Sequence, residues 1–143
     1  MKQALIFLLL CVPTSIFAQC TECNSFEAAL KKPEMVKSII INSHVNKIVV
    51  DSVPSFIGQF VNLEILYLTD QPITHIPPSI GQLTKLKELS FASCQLTQLP
   101  DAVFTLKNLR ELILFTNPFS EGYKAQLKKK VKALMPKTQL LID

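Results

Sequence analysis

Residues 86–106 read LKELSFASCQLTQLPDAVFTL, and the apolar positions of this stretch recur on both sides of it at one constant step. Leu63, Leu86 and Leu109 follow one another at a step of twenty-three positions. The same step links further sets: Leu66, Leu89 and Leu112; Leu68, Phe91 and Leu114; Ile73, Leu96 and Phe119; Pro77 and Pro100. Chance does not place so many apolar matches at one offset, so the sequence predicts an array of similar units.

Each unit combines a short strand with a segment that returns the chain. In the strand, Leu89 and Phe91 alternate with Glu88 and Ser90, and alternate residues of a strand point to opposite faces. The stretch around Pro100 then turns the chain back along the other side. Stacking such units buries their leucine rows in one continuous core and aligns the strands in a parallel sheet. The pattern therefore predicts an α/β solenoid.

The repeated unit resembles the leucine-rich repeat, in the subtype LxxLxLxxNxLxxLPxxIxxLxxL, over most of residues 36–119. The resemblance implies about four strand-bearing units, a short parallel sheet on the concave face, and helical caps at both ends. The end segments also resemble the caps of short, secreted bacterial members of this family. At the consensus Asn position the chain has Gln71, Cys94 and Asn117. We expect Cys94 to be a buried core residue. Gln71 departs from the consensus, which leaves the geometry of its turn open.

The first unit is irregular. Val36, Ile39 and Ile41 match the strand leucines of the next unit at a step of twenty-seven positions, which is longer than the step of the other units. We therefore predict four extra residues between about Asn42 and Val49. The alternative keeps the shorter step and aligns Ile40 with Leu63, but it places Ser43 opposite a core leucine.

Residues 1–18 are predicted to be a signal peptide. Lys2 precedes a short apolar stretch, residues 4–12, that falls well below the roughly 20 apolar residues needed to span a bilayer. Cleavage after Ala18 implies export to the periplasm, the cell envelope or the extracellular space, although Ile16 occupies a position that usually holds a small residue. Lipoprotein processing at Cys20 is the rival interpretation, but Gln19 suits it badly; an uncleaved N-terminal helix is the third.

Caps are expected at both ends of the repeats. Residues 19–35 form the predicted N-terminal cap, with a short helix that begins after Asn24-Ser25 and ends before Pro33. Residues 120–143 form the predicted C-terminal cap, a helix that ends at Pro136 and is followed by a final strand within residues 139–142. The apolar residues at helical spacing in that helix are Tyr123, Leu127, Val131, Leu134 and Met135.

The sequence provides no recognisable catalytic site and no predicted cofactor or metal site. His44 and His75 have no Ser, Cys or carboxylate partner at a known motif spacing. Cys20 and Cys23 form a Cys-x-x-Cys pair ahead of any predicted folded element, which favours a local disulfide in an oxidising compartment. Two ligands are too few for structural zinc. A thiol-active protein that uses this pair is a third functional hypothesis.

The strand face turned away from the core is the binding surface that the resemblance implies. Its predicted rows are Ser38, Ile65, Glu88 and Glu111; Ile40, Tyr67, Ser90 and Ile113; and Asn42, Thr69, Ala92 and Phe115. We predict that a partner protein, of unknown identity, contacts Ile40, Ile65, Tyr67, Glu88, Ile113 and Phe115. The alternative is that single exposed apolar residues are ordinary and favour strands. Lys87 and Arg110 offer a second alternative, in which they only offset the charge of the stacked Glu pair.

A lysine-rich segment gives the runner-up hypothesis. Residues 121–137 hold six Lys against Glu121 alone, a net charge of +5 within a chain of net charge +4. This helix, or a lipid on Cys20, could hold the protein at an anionic membrane surface. The more ordinary alternative is a capping helix with a solvated polar face. Nucleic-acid binding is not expected, because no aromatic residues are interleaved with the lysines and the protein is predicted to be exported.

Overall fold

Six short strands form one parallel sheet in the order of the chain. The structure, a computed structural model, describes residues 20–143, so the predicted signal peptide lies outside the described residues. The strands are β1 (Glu22–Cys23), β2 (Ser38–Asn42), β3 (Ile65–Thr69), β4 (Glu88–Ser90), β5 (Glu111–Ile113) and β6 (Gln139–Leu141). The repeat strands are thus β2 to β5, the four that the resemblance implies, and the caps add one strand at each end.

The register of the sheet confirms the spacing that the sequence predicts. Leu66 is the partner of Leu89, and Leu89 is the partner of Leu112, which is the regular step of the repeat. Ile39 is the partner of Leu66, which is the longer step predicted for the first unit. The four extra residues form the one-turn helix α2 (Ser43–Asn46), and the Asn42 side chain caps it by accepting from the backbone N–H groups of His44 and Val45.

Behind β2, β3 and β4, the chain returns through a short 3₁₀ helix that follows a proline. These helices span Ser55–Gln59, Pro78–Gln82 and Asp101–Thr105, and the residues before them are Pro54, Pro77 and Pro100. Each points one aliphatic residue into the core: Ile57, Ile80 and Val103 are buried. The strand leucines meet these residues from the other side, so one core runs the length of the solenoid.

Residues whose backbone adopts the left-handed conformation also recur once in each repeat. Lys47, Asp70, Ser93 and Thr116 all have φ near +55° and succeed one another at the regular step. Gln71 follows Asp70, and Asn117 follows Thr116. The Gln71 Oε1 accepts from Val50 N at 2.7 Å, and the Asn117 Oδ1 accepts from the equivalent Leu96 N at 2.9 Å. The turn whose geometry the sequence leaves open at Gln71 therefore keeps the usual contact, because the longer side chain reaches the same backbone group.

The caps cover both ends of the core. Helix α1 (Phe26–Leu30) begins at Ser25, whose Oγ accepts from Ala28 N, and it buries Ala29. Strand β1 was not expected, because two residues are too few to show a periodic pattern. Helix α3 (Glu121–Leu134) buries Leu127 and Val131, and Met135 directly after it is also buried.

The prediction that Leu134 belongs to the apolar side of α3 that faces the core is wrong. The helical spacing placed it on the core side of α3, but its surface is 46% exposed. The helix ends at this residue, and Met135, directly after it, is the residue that is buried at this end.

Candidate functional site

The outward-facing side chains of β1 to β6, with those directly after each strand, form the surface that we call the strand face. Strand pairing aligns them in rows across the sheet. The first row is Glu22, Ser38, Ile65, Glu88, Glu111 and Gln139. The second is Ile40, Tyr67, Ser90, Ile113 and Leu141. Neighbouring strands lie roughly 4.8 Å apart, so successive members of a row are in contact range.

The six predicted contact residues all lie on this face, and they differ in exposure. Ile40 and Phe115 are 44% and 41% exposed. The other four, Ile65, Tyr67, Glu88 and Ile113, are half-buried between their row neighbours. Tyr67 and Ile113 are therefore on the surface and occupy the same row, two strands apart.

Two outward positions are not accessible. Ser90 is only 3% exposed, and Ser38 is also buried. Ser90 lies between Tyr67 and Ile113 in its row, and Ser38 lies between Glu22 and Ile65. Because a serine side chain is short, larger neighbours on both sides cover it. Both serines point away from the core, as predicted. They are buried, however, so the prediction that they are exposed is wrong.

Tyr67 is hydrogen-bonded within the strand face. Its hydroxyl donates to the Glu88 Oε2. Partial burial, this hydrogen bond and the negative charges of Glu88 and Glu111 raise the pKa of Tyr67 to about 12. The phenol therefore stays protonated at neutral pH, and it fixes the orientation of the Glu88 carboxylate.

Glu88 and Glu111 are register partners on adjacent strands, and neither forms an ion pair with another described residue. Lys87 instead binds Glu64, and this contact lowers the pKa of the Glu64 carboxyl. Lys87 is thus not paired with the stacked carboxylates, contrary to the alternative in which it only offsets their charge. Like charges directly opposite one another across a sheet are destabilising.

The strand face ends at a step beside the N-terminal cap. Strand β1 pairs with only the first two residues of β2, so the sheet is narrower next to Ile40. A shallow cavity of about 310 Å³ lies there, and its lining includes Ile40, Asn46 and Asn24. The Cys20–Cys23 disulfide also lines it, with the two Cα atoms 5.3 Å apart.

Sequence reasoning missed three members of the first two rows: Glu22, Gln139 and Leu141. Gln139 and Leu141 belong to a strand that the sequence predicts, and aligning it with β5 would have found them. Glu22 belongs to β1, which has no sequence signal of its own.

Comparison with known proteins agrees with this geometry. Residues 61–119 match the family model for the leucine rich repeat. The chain contains leucine-rich repeats. A solved leucine-rich-repeat protein from Leptospira interrogans is 33% identical, with a TM-score of 0.56, over 73% of this chain. The match covers 24% of that chain, so this leucine-rich-repeat protein spans about a quarter of its length. No curated protein matches the chain.

Proteins of the leucine-rich-repeat family are typically non-enzymatic modules that bind other proteins. Within residues 20–143, no three His, Cys, Asp or Glu side chains come together as metal ligands would. Over the same residues, no helix has both the length and the apolar character to cross a bilayer. His44 and His75 are exposed and lie in separate repeats, so the structure does not bring them together.

Within residues 20–143, the one cysteine outside the disulfide is Cys94, which is a core residue. Its side chain is 1% exposed, and its Sγ lies 3.3 Å from the carbonyl oxygen of Leu68. Burial raises the pKa of the Cys94 thiol to about 11. It is therefore a protonated core residue, as expected from its place in the repeat.

Helix α3 presents charge without an apolar face. Leu127 and Val131 pack against the solenoid, so they are not available for insertion into a bilayer. Lys124 pairs with Glu121, and Lys130 pairs with Asp101 and lies 4.1 Å from the centre of the Phe104 ring. The exposed lysines of the helix are Lys128, Lys129 and Lys132, and Lys137 is exposed after its end. The arrangement favours the role of a cap, since an interfacial helix needs a free apolar side.

Proposed function

We propose that this chain is a non-catalytic module that binds a partner protein through the strand face. Ile40, Ile65, Tyr67, Glu88, Ile113 and Phe115 are its contact residues. The observation that carries the proposal is the exposure of Ile40 and Phe115 on the same face of one continuous parallel sheet. Exposed apolar residues on a common face are typical of protein contacts.

The physical advantage of this surface is its rigidity. The strands are held by their neighbours and by the core behind them, so binding orders few backbone groups. Association then costs side-chain freedom and the overall motion of two bodies, but little loop ordering. Tyr67, held by its hydrogen bond to Glu88, loses little rotamer freedom when a partner covers it.

We further propose that the protein is exported after cleavage of residues 1–18. The Cys20–Cys23 disulfide supports this, because such bonds persist in oxidising compartments. A lipid on Cys20 would occupy the same sulfur atom, so the two states exclude each other. Intact mass of the exported protein distinguishes them: we expect the chain from Gln19 with two thiol hydrogens missing, and a mass increased by acyl groups would contradict it.

Capture experiments with paired variants test the strand face. The purified chain is immobilised and incubated with the envelope fraction of the native cells, and retained proteins are identified by mass spectrometry. We expect Phe115→Glu and Tyr67→Ala to abolish retention of the specific partner. Val61→Glu is the matched control, because Val61 is 49% exposed and lies outside the strand face.

Circular dichroism and thermal unfolding of each variant verify that the fold is kept. Retention of the same proteins by folded Phe115→Glu and Tyr67→Ala variants would assign the binding site to another surface.

A further inference from the structure

We infer that the strand face takes a protein segment in which a Lys or Arg side chain is flanked by apolar side chains, with Glu88 and Glu111 binding the cation. The inference rests on the proposed function and adds the chemistry of the partner to it. It is carried by the charge of the face, the geometry of the two carboxylates and the apolar residues on both sides.

The charge of the strand face has one sign. The charged outward-facing residues of β1 to β6 are Glu22, Glu88 and Glu111, and no Lys or Arg is among the described outward positions of these strands. The lysine-rich helix α3 is not part of the sheet. It contacts the return segment Asp101–Thr105, where Lys130 lies over the Phe104 ring. A partner that is complementary to this face is therefore cationic where it meets the acidic residues.

Glu88 and Glu111 are placed to share one cation. They are direct partners across β4 and β5, so their α-carbons are separated by one strand spacing. Two basic residues are adjacent to the pair in sequence: Lys87 is engaged with Glu64, and Arg110 forms no ion pair with either carboxylate. A guanidinium or ammonium group between the two carboxylates would replace a like-charge repulsion with two charge-assisted hydrogen bonds. The hydroxyl of Tyr67 holds Glu88 in position for this contact.

Apolar residues border the acidic pair on both sides. Ile65 precedes Glu88 in its row, and Ile40 lies on the next strand, β2. Ile113 and Phe115 instead follow Glu111 along β5 and the turn after it. The exposed apolar surface at each end removes water from the carboxylates when a partner covers it, and charge pairs are stronger where water is excluded. The acidic pair thus has apolar neighbours both across the sheet and along β5, so a complementary segment carries apolar side chains beside its basic residue.

A random library of 12-residue peptides displayed on phage tests the inference with the whole mature chain as bait. We expect selected peptides to be enriched in Lys or Arg flanked by apolar residues. A synthetic peptide of the selected sequence should bind the Glu88→Gln/Glu111→Gln variant about tenfold or more weakly than the wild-type chain, by fluorescence anisotropy. The matched control, Glu27→Gln/Glu34→Gln, changes the net charge equally at exposed positions outside the sheet and should leave affinity unchanged.

The outcomes separate the inference from the proposed function. Peptides without basic residues that still require Phe115 would overturn the cation contact and leave the strand face as the binding site. If the selected peptides bind Phe115→Glu and Glu88→Gln/Glu111→Gln as tightly as they bind the wild-type chain, both the inference and the proposed function are overturned. The absence of any enrichment above background has the same consequence. Self-association of the bait that disappears in Glu88→Gln/Glu111→Gln would assign the face to a second copy, and would overturn the inference of a foreign partner.

Discussion

In the last turn of the repeat array, Asn117 forms hydrogen bonds through both the oxygen and the nitrogen of its side-chain amide. Its Oδ1 accepts from Leu96 N, and its Nδ2 donates to the carbonyl oxygens of Phe91 and Leu114, all three at 3.1 Å or less. The residue is buried, so these backbone groups have no water to replace it. Cys94, in the preceding turn, reaches carbonyl oxygens only, because a thiol offers no comparable acceptor.

Replacing Asn117 by Ala should therefore lower the free energy of unfolding by about 2 kcal/mol, since it leaves a buried N–H without an acceptor. Urea denaturation measures the change. Asn108→Ala is the matched control: Asn108 donates to the Thr84 carbonyl oxygen from an exposed position, and water can take over. Asn108→Ala should lower the free energy of unfolding by less than about 1 kcal/mol. Equal decreases for the two variants would show that burial of the Asn117 contacts adds no stability.

Tyr67 provides a pH-dependent prediction. Its pKa in the folded protein, about 12, lies above its ordinary value of 10.0, so the folded state holds this proton more tightly than the unfolded state. The resulting stabilisation is fully present below pH 10 and is lost as the pH rises from about 10 to about 12. Glu88→Gln should lower the Tyr67 pKa, because it removes a negative charge beside the phenol.

Absorbance of phenolate at 295 nm follows the titration, and Tyr67→Phe identifies which part of the signal belongs to this residue. Ionisation of Tyr67 near pH 10 in the folded chain would refute the account, as would a Glu88→Gln variant with an unchanged titration.

At the scale of elements, the stacking of the 3₁₀ helices depends on close approach. A β-carbon at Gly81 would lie 3.2 Å from the Ala102 Cβ and 3.3 Å from the Ala102 carbonyl oxygen, on the next return segment. Gly122, in the first turn of α3, has no neighbour within 4 Å of such a carbon. The same substitution therefore has opposite effects at these two positions.

Gly81→Ala should lower the free energy of unfolding by about 1 kcal/mol through overpacking. Gly122→Ala should raise it by about 0.5 to 1 kcal/mol, because alanine restricts the unfolded chain and suits a helix. Thermal and urea denaturation of both variants test the pair. A stabilised Gly81→Ala protein would show that adjacent return segments separate without cost.

At the scale of the whole molecule, the end caps determine whether the repeats form a stable body, because each unit buries its apolar side only against its neighbours. Leu127 and Leu134 belong to the same helix, but Leu127 is buried and Leu134 is 46% exposed. Leu127→Ala should cost about 2 to 5 kcal/mol, and Leu134→Ala less than about 1 kcal/mol.

Urea denaturation followed by circular dichroism of the whole chain measures both variants. If α3 unfolded alone, Leu127→Ala would change only a minor helical transition and leave the unfolding of the sheet unchanged. That result would contradict a stabilising role of the cap for the solenoid.

Much of the fold could be predicted because the residues that must be buried recur at a constant step along the chain. The leucine positions of β3 to β5 define one constant step, and the shift at Ile39 locates the insertion that becomes α2. Strand β1 could not be predicted, because its two residues form a strand only by pairing with β2. The direction of each strand-face residue follows from alternation, so the rows of the candidate site were also predictable.

The sequence alone thus determined the repeats, the register and which side chains point away from the core. Only the tertiary structure decided which of those side chains are accessible and which groups they bind. Ser90 is covered by its neighbours, Tyr67 is bonded to Glu88, and Lys87 binds Glu64 rather than the acidic pair. The reason is physical: periodic burial acts on each unit separately, whereas exposure and pairing depend on side-chain size and charge in the adjacent units, 21 or 23 residues away along the chain.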